Sequence, residues 1–235
     1  MADQYLRCLQ RRAQPVTVLL QALDLGAIRG ENVLFSHLEL QLHQGEIVRL
    51  CGPNGCGKTT LIKILAGLRE ADAGEVIWKD KRIAQVRAEW HEAMLFVGHK
   101  SGISPELTPL ENLRHWCDLR NRAGHSRIES VLAELGLAKQ VSLPVASLSA
   151  GQKQRVSLAR LLLCPADIWF LDEPLTALDV DGQQWLEQQL QLHTSNGGSV
   201  ILTTHQAFAT DNPALRSLFI QSPQNEASDM QVEHD

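Results

Sequence analysis

The sequence holds one tyrosine among 235 residues, and aromatics make up only 5% of it. Its core must therefore be built mainly from aliphatic side chains, since 44% of the residues are apolar. Long apolar runs are missing: stretches such as Leu161 to Cys164 and Ile168 to Leu171 fall far short of the ~20 residues that span a bilayer. No segment is expected to cross a membrane. A basic excess is absent too, with 22 Lys and Arg against 27 Asp and Glu and a net charge of −5, so no global positive field gathers nucleic acid. The five cysteines (Cys8, Cys51, Cys56, Cys117, Cys164) are odd in number and offer no pair at metal-ligand spacing, which reads as reduced thiols rather than a disulfide scaffold or zinc site. The N-terminus has Arg7, Arg11 and Arg12 but neither an apolar h-region nor a small-residue cleavage site, so a cytoplasmic chain is expected. Repeats, coiled-coil heptads and low-complexity segments are lacking as well.

The apolar pattern that is present describes one domain over 15–222, between polar tails at 1–14 and 223–235. Val16 to Leu20 reads as a strand, and so does Ile47 to Cys51. The second strand leads into a glycine-rich turn, after which Leu61, Ile62 and Leu65 recur at helical spacing until Gly67. Three capping-box starts follow, at Thr108-Pro109-Leu110-Glu111, Ser126-Arg127-Ile128-Glu129 and Ser149-Ala150-Gly151-Gln152. They predict helices from Pro109, from Ile128 to a stop at Gly136, and from Ser149 to Leu163. Residues from about 100 to 163 thus form a helical insertion. Strands at Ile168 to Leu171 and Val200 to Thr203 flank a further helix from about Gly182 to Leu192, giving an α/β fold with a parallel-type sheet, an antiparallel β edge and a helical subdomain.

Gly52-Pro53-Asn54-Gly55-Cys56-Gly57-Lys58-Thr59 matches the P-loop pattern between a strand and a helix. Glycines let successive N–H groups turn inward on an anion, and the helix adds the positive end of its dipole. Lys58 is placed for the β- and γ-phosphates, and Thr59, followed by Thr60, for Mg²⁺. The motif predicts a nucleotide site and leaves the reaction class open.

The strand Ile168 to Leu171 ends in Asp172-Glu173, and strand ends of α/β sheets are where ligands bind. Asp172 is expected to hold Mg²⁺, and Glu173 to deprotonate an attacking water. Ser149, at the head of a capped helix, marks a second anion site distinct from the P-loop.

With these motifs in this order, the chain resembles the ATPase subunits of ABC transporters, P-loop NTPases whose Leu-Ser-Gly-Gly-Gln signature closes over ATP held by a partner subunit. The resemblance runs from about Val16 to Ser222, with Leu148-Ser149-Ala150-Gly151-Gln152 as the signature, Ala177-Leu178-Asp179 as the D-loop and His205 as the switch histidine. It implies ATP and Mg²⁺ as cofactors, catalysis by Glu173 and His205, metal contacts from Thr59 and Asp172, and nucleotide contacts from Ser149, Gly151, Gln152 and Asp179. Departures are Ala150 for a glycine, His99 where a glutamine is expected at the mouth of the insertion, and Ile28 at about the place of an adenine-stacking aromatic.

Segments around Trp78, Gly98-His99, Gly102-Ile103, Val180-Asp181-Gly182 and His205-Gln206 resemble the cytochrome c maturation (haem export) branch. That implies integral membrane subunits as partners, an ATP-dependent homodimer, no nucleic acid, and a peripheral place on the cytoplasmic face of the inner membrane. The ATPase of another ABC transporter, and a soluble ABC ATPase without a membrane partner, stay open. The second would call for tandem domains, a long coiled coil or a basic stripe, none of which the sequence has. A GTPase would call for an Asn-Lys-x-Asp motif, also absent.

Overall fold

The computed structural model describes residues 17–99, 102–120, 124–205 and 214–220. Among these residues, nine strands form two sheets. The first is antiparallel, in the order β2-β1-β4-β5, from β1 (Val18–Arg29), β2 (Asn32–His43), β4 (Ala73–Trp78) and β5 (Lys81–Arg82). The second runs β6-β7-β8-β3-β9, from β3 (Ile47–Cys51), β6 (Met94–Val97), β7 (Ile168–Asp172), β8 (Ser199–Thr203) and β9 (Leu215–Phe219), all paired in parallel. An α/β core with an antiparallel edge is thus what forms.

The central strands are apolar on both faces because both are covered. Ile168, Phe170 and Ile201 point toward α1 (Lys58–Leu65), which contributes Leu61, Ile62 and Leu65. Trp169, Leu171, Val200 and Leu202 point the other way, onto Leu186 and Leu190 of α7 (Val180–Ser195). Phe170 is fully buried, and its replacement by alanine would cost about 3–5 kcal/mol. Trp90, on α2 (Arg87–Ala93), joins the two sheets: its ring lies 5.5 Å from Trp78 and 5.9 Å from Phe170, and its indole N–H donates to the Ala66 carbonyl at 3.0 Å.

Among the described residues, four helices make the insertion, with their own core around Leu113, Val131, Leu132 and Val156. Helix α3 (Pro109–Leu119) opens on the expected Thr108–Glu111 capping box, and α5 (Ala150–Leu158) on the expected Ser149–Gln152 box. Between them, α4 (Ile128–Glu134) departs from expectation. Ser126 forms no cap, because a 3₁₀ turn over His125–Arg127 leads directly into the helix. Its C-terminus does stop at Gly136, where Leu137 N–H bonds the Leu132 carbonyl and Gly136 N–H bonds the Ala133 carbonyl. The helix read as continuous to Leu163 is interrupted at Ala159 and resumes as α6 (Arg160–Leu163), ending at Cys164 before Pro165. Helix α7 begins earlier than expected, at Val180, since the Asp179 carboxylate caps it.

Arg160 ties parts of this subdomain together. Only 7% exposed, it donates to the Gly102 carbonyl at 2.6 Å and lies 4.6 Å from the Trp116 ring centroid. Burial lowers its pKa to about 10. No helix among the described residues is long and apolar enough to cross a membrane.

Candidate functional site

The turn between β3 and α1 is shaped by backbone that side chains would obstruct. Gly52 has φ 146°, and a Cβ there would stand 2.7 Å from Cys56 Sγ and 2.8 Å from the Ile220 carbonyl. Gly57, at φ 102°, is the N-cap of α1 and would place a Cβ 3.1 Å from that of Leu34. Both positions require glycine. Lys58 is 8% exposed and donates to the carbonyls of Gly52 and Pro53 at 2.8 and 2.9 Å. Its ammonium is therefore held against the loop it must serve.

A chain of hydroxyls and carboxylates crosses from α1 to the ends of β7 and β8. Thr59 Oγ1 donates to Asp172 Oδ1 at 3.1 Å, and Thr203 Oγ1 donates to the same oxygen at 2.8 Å. The Glu173 amide donates to Thr203 Oγ1 at 2.9 Å. Glu173 itself stands at φ 56°, an uncommon backbone state for a non-glycine residue and a form of strain found at functional sites. His205 Nε2 lies 3.5 Å from Glu173 Oε1.

These groups face one cleft of about 360 Å³, lined by Asn54, Gly55, Gly57, Lys58, Thr59 and Thr60 on the P-loop side and by His99, Asp172, Glu173, Thr203 and His205 across from it. Arg29 and Leu34 also line it. Phosphates fit the inward N–H groups and Lys58. Among the described residues no cluster of three or more histidine, cysteine or acidic side chains could hold a metal alone. The Thr59–Asp172 oxygen pair suits a hard cation that takes its remaining oxygens from phosphate and water.

The expected second anion site is elsewhere: Ser149, Gly151, Gln152 and Asp179 do not line this cleft. Ser149 Oγ accepts the Gln152 N–H at 3.2 Å, and Gln152 Oε1 accepts the Ser149 N–H at 2.9 Å. The helix they open is docked on the turn after β7. Gln154 Nε2 donates to the Pro174 carbonyl at 2.9 Å, Arg155 donates to Asp179 Oδ1 at 2.5 Å, and a Cβ at Gly151 would meet the Ala177 carbonyl at 2.7 Å. The Arg155 hydrogen bond, with the Gly182 N–H, holds the Asp179 carboxyl below its ordinary range.

Three residues escaped the sequence reading. Thr203, which links Asp172 to Glu173, was read only as the end of a strand. Arg155 lies one turn past the signature, where a charged helix residue ordinarily signals solvent. Ile28 is 46% exposed and does not line the cleft, whereas the next residue, Arg29, does. Lys100 and Gln206 lie outside the described residues.

A larger groove, about 840 Å³, opens at the opposite ends of β7 and β8, beside Pro165, Trp169 and His193. It contains none of these groups.

Known proteins match this chain closely. A family model for ABC transporters matches residues 35–176. The cytochrome c biogenesis ATP-binding export protein CcmA of Vibrio cholerae serotype O1 is 46% identical over 206 residues, covering 87% of this chain and all of that protein. The protein of the same name from Yersinia pestis bv. Antiqua is 44% identical over 209 residues, or 89% of this chain and 96% of the other. Among solved structures, an ATP-binding subunit of an ABC transporter superposes with a TM-score of 0.75 at 23% identity, over 92% of this chain and 95% of that one. A dimeric ATP-binding cassette bound to ADP and Pi superposes with a TM-score of 0.72 at 25% identity, over 80% and 88%. By motif, fold and sequence, the chain belongs to the ABC transporter family.

Proposed function

We propose that this chain is the ATP-binding and ATP-hydrolysing subunit of an ABC export complex in cytochrome c biogenesis, coupling hydrolysis to haem export or to release of a haem-loaded chaperone. The observation that carries the ATPase reading is the continuous chain Thr59–Asp172–Thr203–Glu173 beside the P-loop. Identity to the curated export proteins of that name, over more than four-fifths of the chain, supports the biogenesis role.

The P-loop amides and Lys58 bind the phosphates, aided by Gly52, Pro53, Asn54, Gly55, Cys56, Gly57 and Thr60. Thr59 and Asp172 would hold Mg²⁺, which when bound neutralises charge between the β- and γ-phosphates. Glu173 takes a proton from the attacking water, and ATP and water become ADP and phosphate. A positioned base of this kind contributes ~10²–10⁴ in rate. His205 and His99 hydrogen-bond at the γ-phosphate end. Ser149, Gly151 and Gln152, which do not line this chain's own cleft, complete the site of a second copy, and Asp179 lies at the junction. ATP therefore drives dimerisation. Integral membrane subunits supply the transport path, and the chain sits peripherally on the cytoplasmic face of the inner membrane.

The test is genetic. A strain carrying Glu173→Gln should make apo-cytochrome and secrete normally, yet fail to accumulate covalent haem-cytochrome on haem-stained gels, with the variant present at normal level. Normal c-type cytochromes in that strain would reject the biogenesis role.

A further inference from the structure

The backbone around Glu173 is held from two sides. On the side of the sheet its amide donates to Thr203 Oγ1 at 2.9 Å, and its carbonyl accepts the Thr176 N–H at 3.2 Å, which closes the first turn after β7. On the other side stands Pro174, which is buried and has no N–H of its own. Its carbonyl accepts from Gln154 Nε2 at 2.9 Å, and Gln154 belongs to α5 of the helical insertion.

This hydrogen bond lies within a wider contact between α5 and the turn. Leu175 and Leu178 are buried in one core cluster with Leu158, the last residue of α5, and Arg155 donates to Asp179 Oδ1 at the far end of the turn. Those contacts fix where the turn lies. The bond from Gln154 falls directly beside Glu173, and the proline ring fixes its own φ, so a held Pro174 carbonyl leaves the Glu173 backbone little range. Glu173 needs such restraint. At φ 56° it occupies a state that persists where the surrounding structure over-determines it, and its side chain lines the nucleotide cleft.

Resting on the reading of Glu173 as the base, we infer that Gln154 is a positioning residue for hydrolysis: through the Pro174 carbonyl it keeps Glu173 in its strained backbone state, with the carboxylate at the cleft. The base is thus set from the helical insertion as well as from the sheet. Removing the Gln154 donor lets Glu173 relax toward an ordinary φ, while Lys58 and the P-loop amides, which bind the phosphates, stay in place. The loss then falls on kcat and not on KM.

A double-mutant cycle with Glu173→Gln, read in ATP turnover, tests this. Gln154→Met keeps the reach of the side chain and removes its donor. In the parent chain it should lower kcat at least ~10-fold, with KM and Mg-ATP affinity within about twofold of the parent. In Glu173→Gln, where no base is left to position, the same substitution should change the residual rate by less than about twofold. Gln154→Lys supplies an N–H donor of similar reach and should recover most of the lost kcat, which also shows that the helix still docks. A merely structural glutamine would act equally in both backgrounds. The inference is overturned if Gln154→Met turns over ATP like the parent, if the two losses multiply across the cycle, if KM rises as kcat falls, or if lysine recovers nothing. A Glu173→Gln protein with the parent rate would instead overturn the reading of Glu173 as the base.

Discussion

The Thr203 hydroxyl accepts the Glu173 amide at 2.9 Å while donating to Asp172, so one side chain on β8 sets the geometry of both carboxylates at the end of β7. Thr203→Val keeps the shape and removes both bonds. The Glu173 amide left unpaired should cost about 1–3 kcal/mol in urea unfolding. Displacement of Glu173 should lower kcat at least ~10-fold with little change in KM. An unaltered kcat would show that Glu173 is oriented by other contacts.

Gly151→Ala should separate the signature helix from catalysis in the same chain. Its Cβ would lie 2.7 Å from the Ala177 carbonyl, and backbone on both sides cannot yield cheaply. An overpacking cost of about 1–3 kcal/mol is expected, with ATP turnover down more than ~10-fold and nucleotide binding at the P-loop retained. Ala150→Gly, at an exposed position, should leave turnover within about twofold of the parent. Equal turnover in the Gly151 variant would remove the proposed docking of this helix from the mechanism.

The strand Ile47–Cys51 and the capping boxes of Thr108 and Ser149 were legible in the sequence because each rests on local chemistry: an apolar run bounded by glycine, or a hydroxyl three residues before a carboxyl or amide. The β1–β2 hairpin was not. Its alternation is broken by bulges between Ala22 and Leu25, with Asp24 at φ 53°, so the first strand was read only to Leu20. Strands β6 and β9 are four and five residues long and are defined by their parallel partners, a signal that local pattern lacks. The P-loop and Asp172-Glu173 were found as motifs. Thr203 was not, because its role exists only where β8 lies beside β7.

His193 predicts an acid limb in stability. Its ring stacks on Trp169, with centroids 3.8 Å apart and planes within 4°. Burial pulls its pKa down from 6.5 to about 4. The folded form thus refuses a proton that the unfolded chain accepts, so this contribution is complete above about pH 6.5 and is lost as pH falls toward 4. His193→Phe, which keeps a ring on Trp169, should flatten the fall in urea midpoint between pH 6.5 and 5. An identical pH profile in the variant would place the acid sensitivity elsewhere.

The most direct test of the central claim, that this chain hydrolyses ATP in a site completed by a second copy, is sedimentation velocity of Glu173→Gln with and without saturating Mg-ATP. Binding should persist while hydrolysis stops, and the signature helices, which do not line their own clefts, should close over the partner's nucleotide. The account predicts a monomer without nucleotide and a stable dimer with it. A variant that binds Mg-ATP and remains wholly monomeric would contradict it.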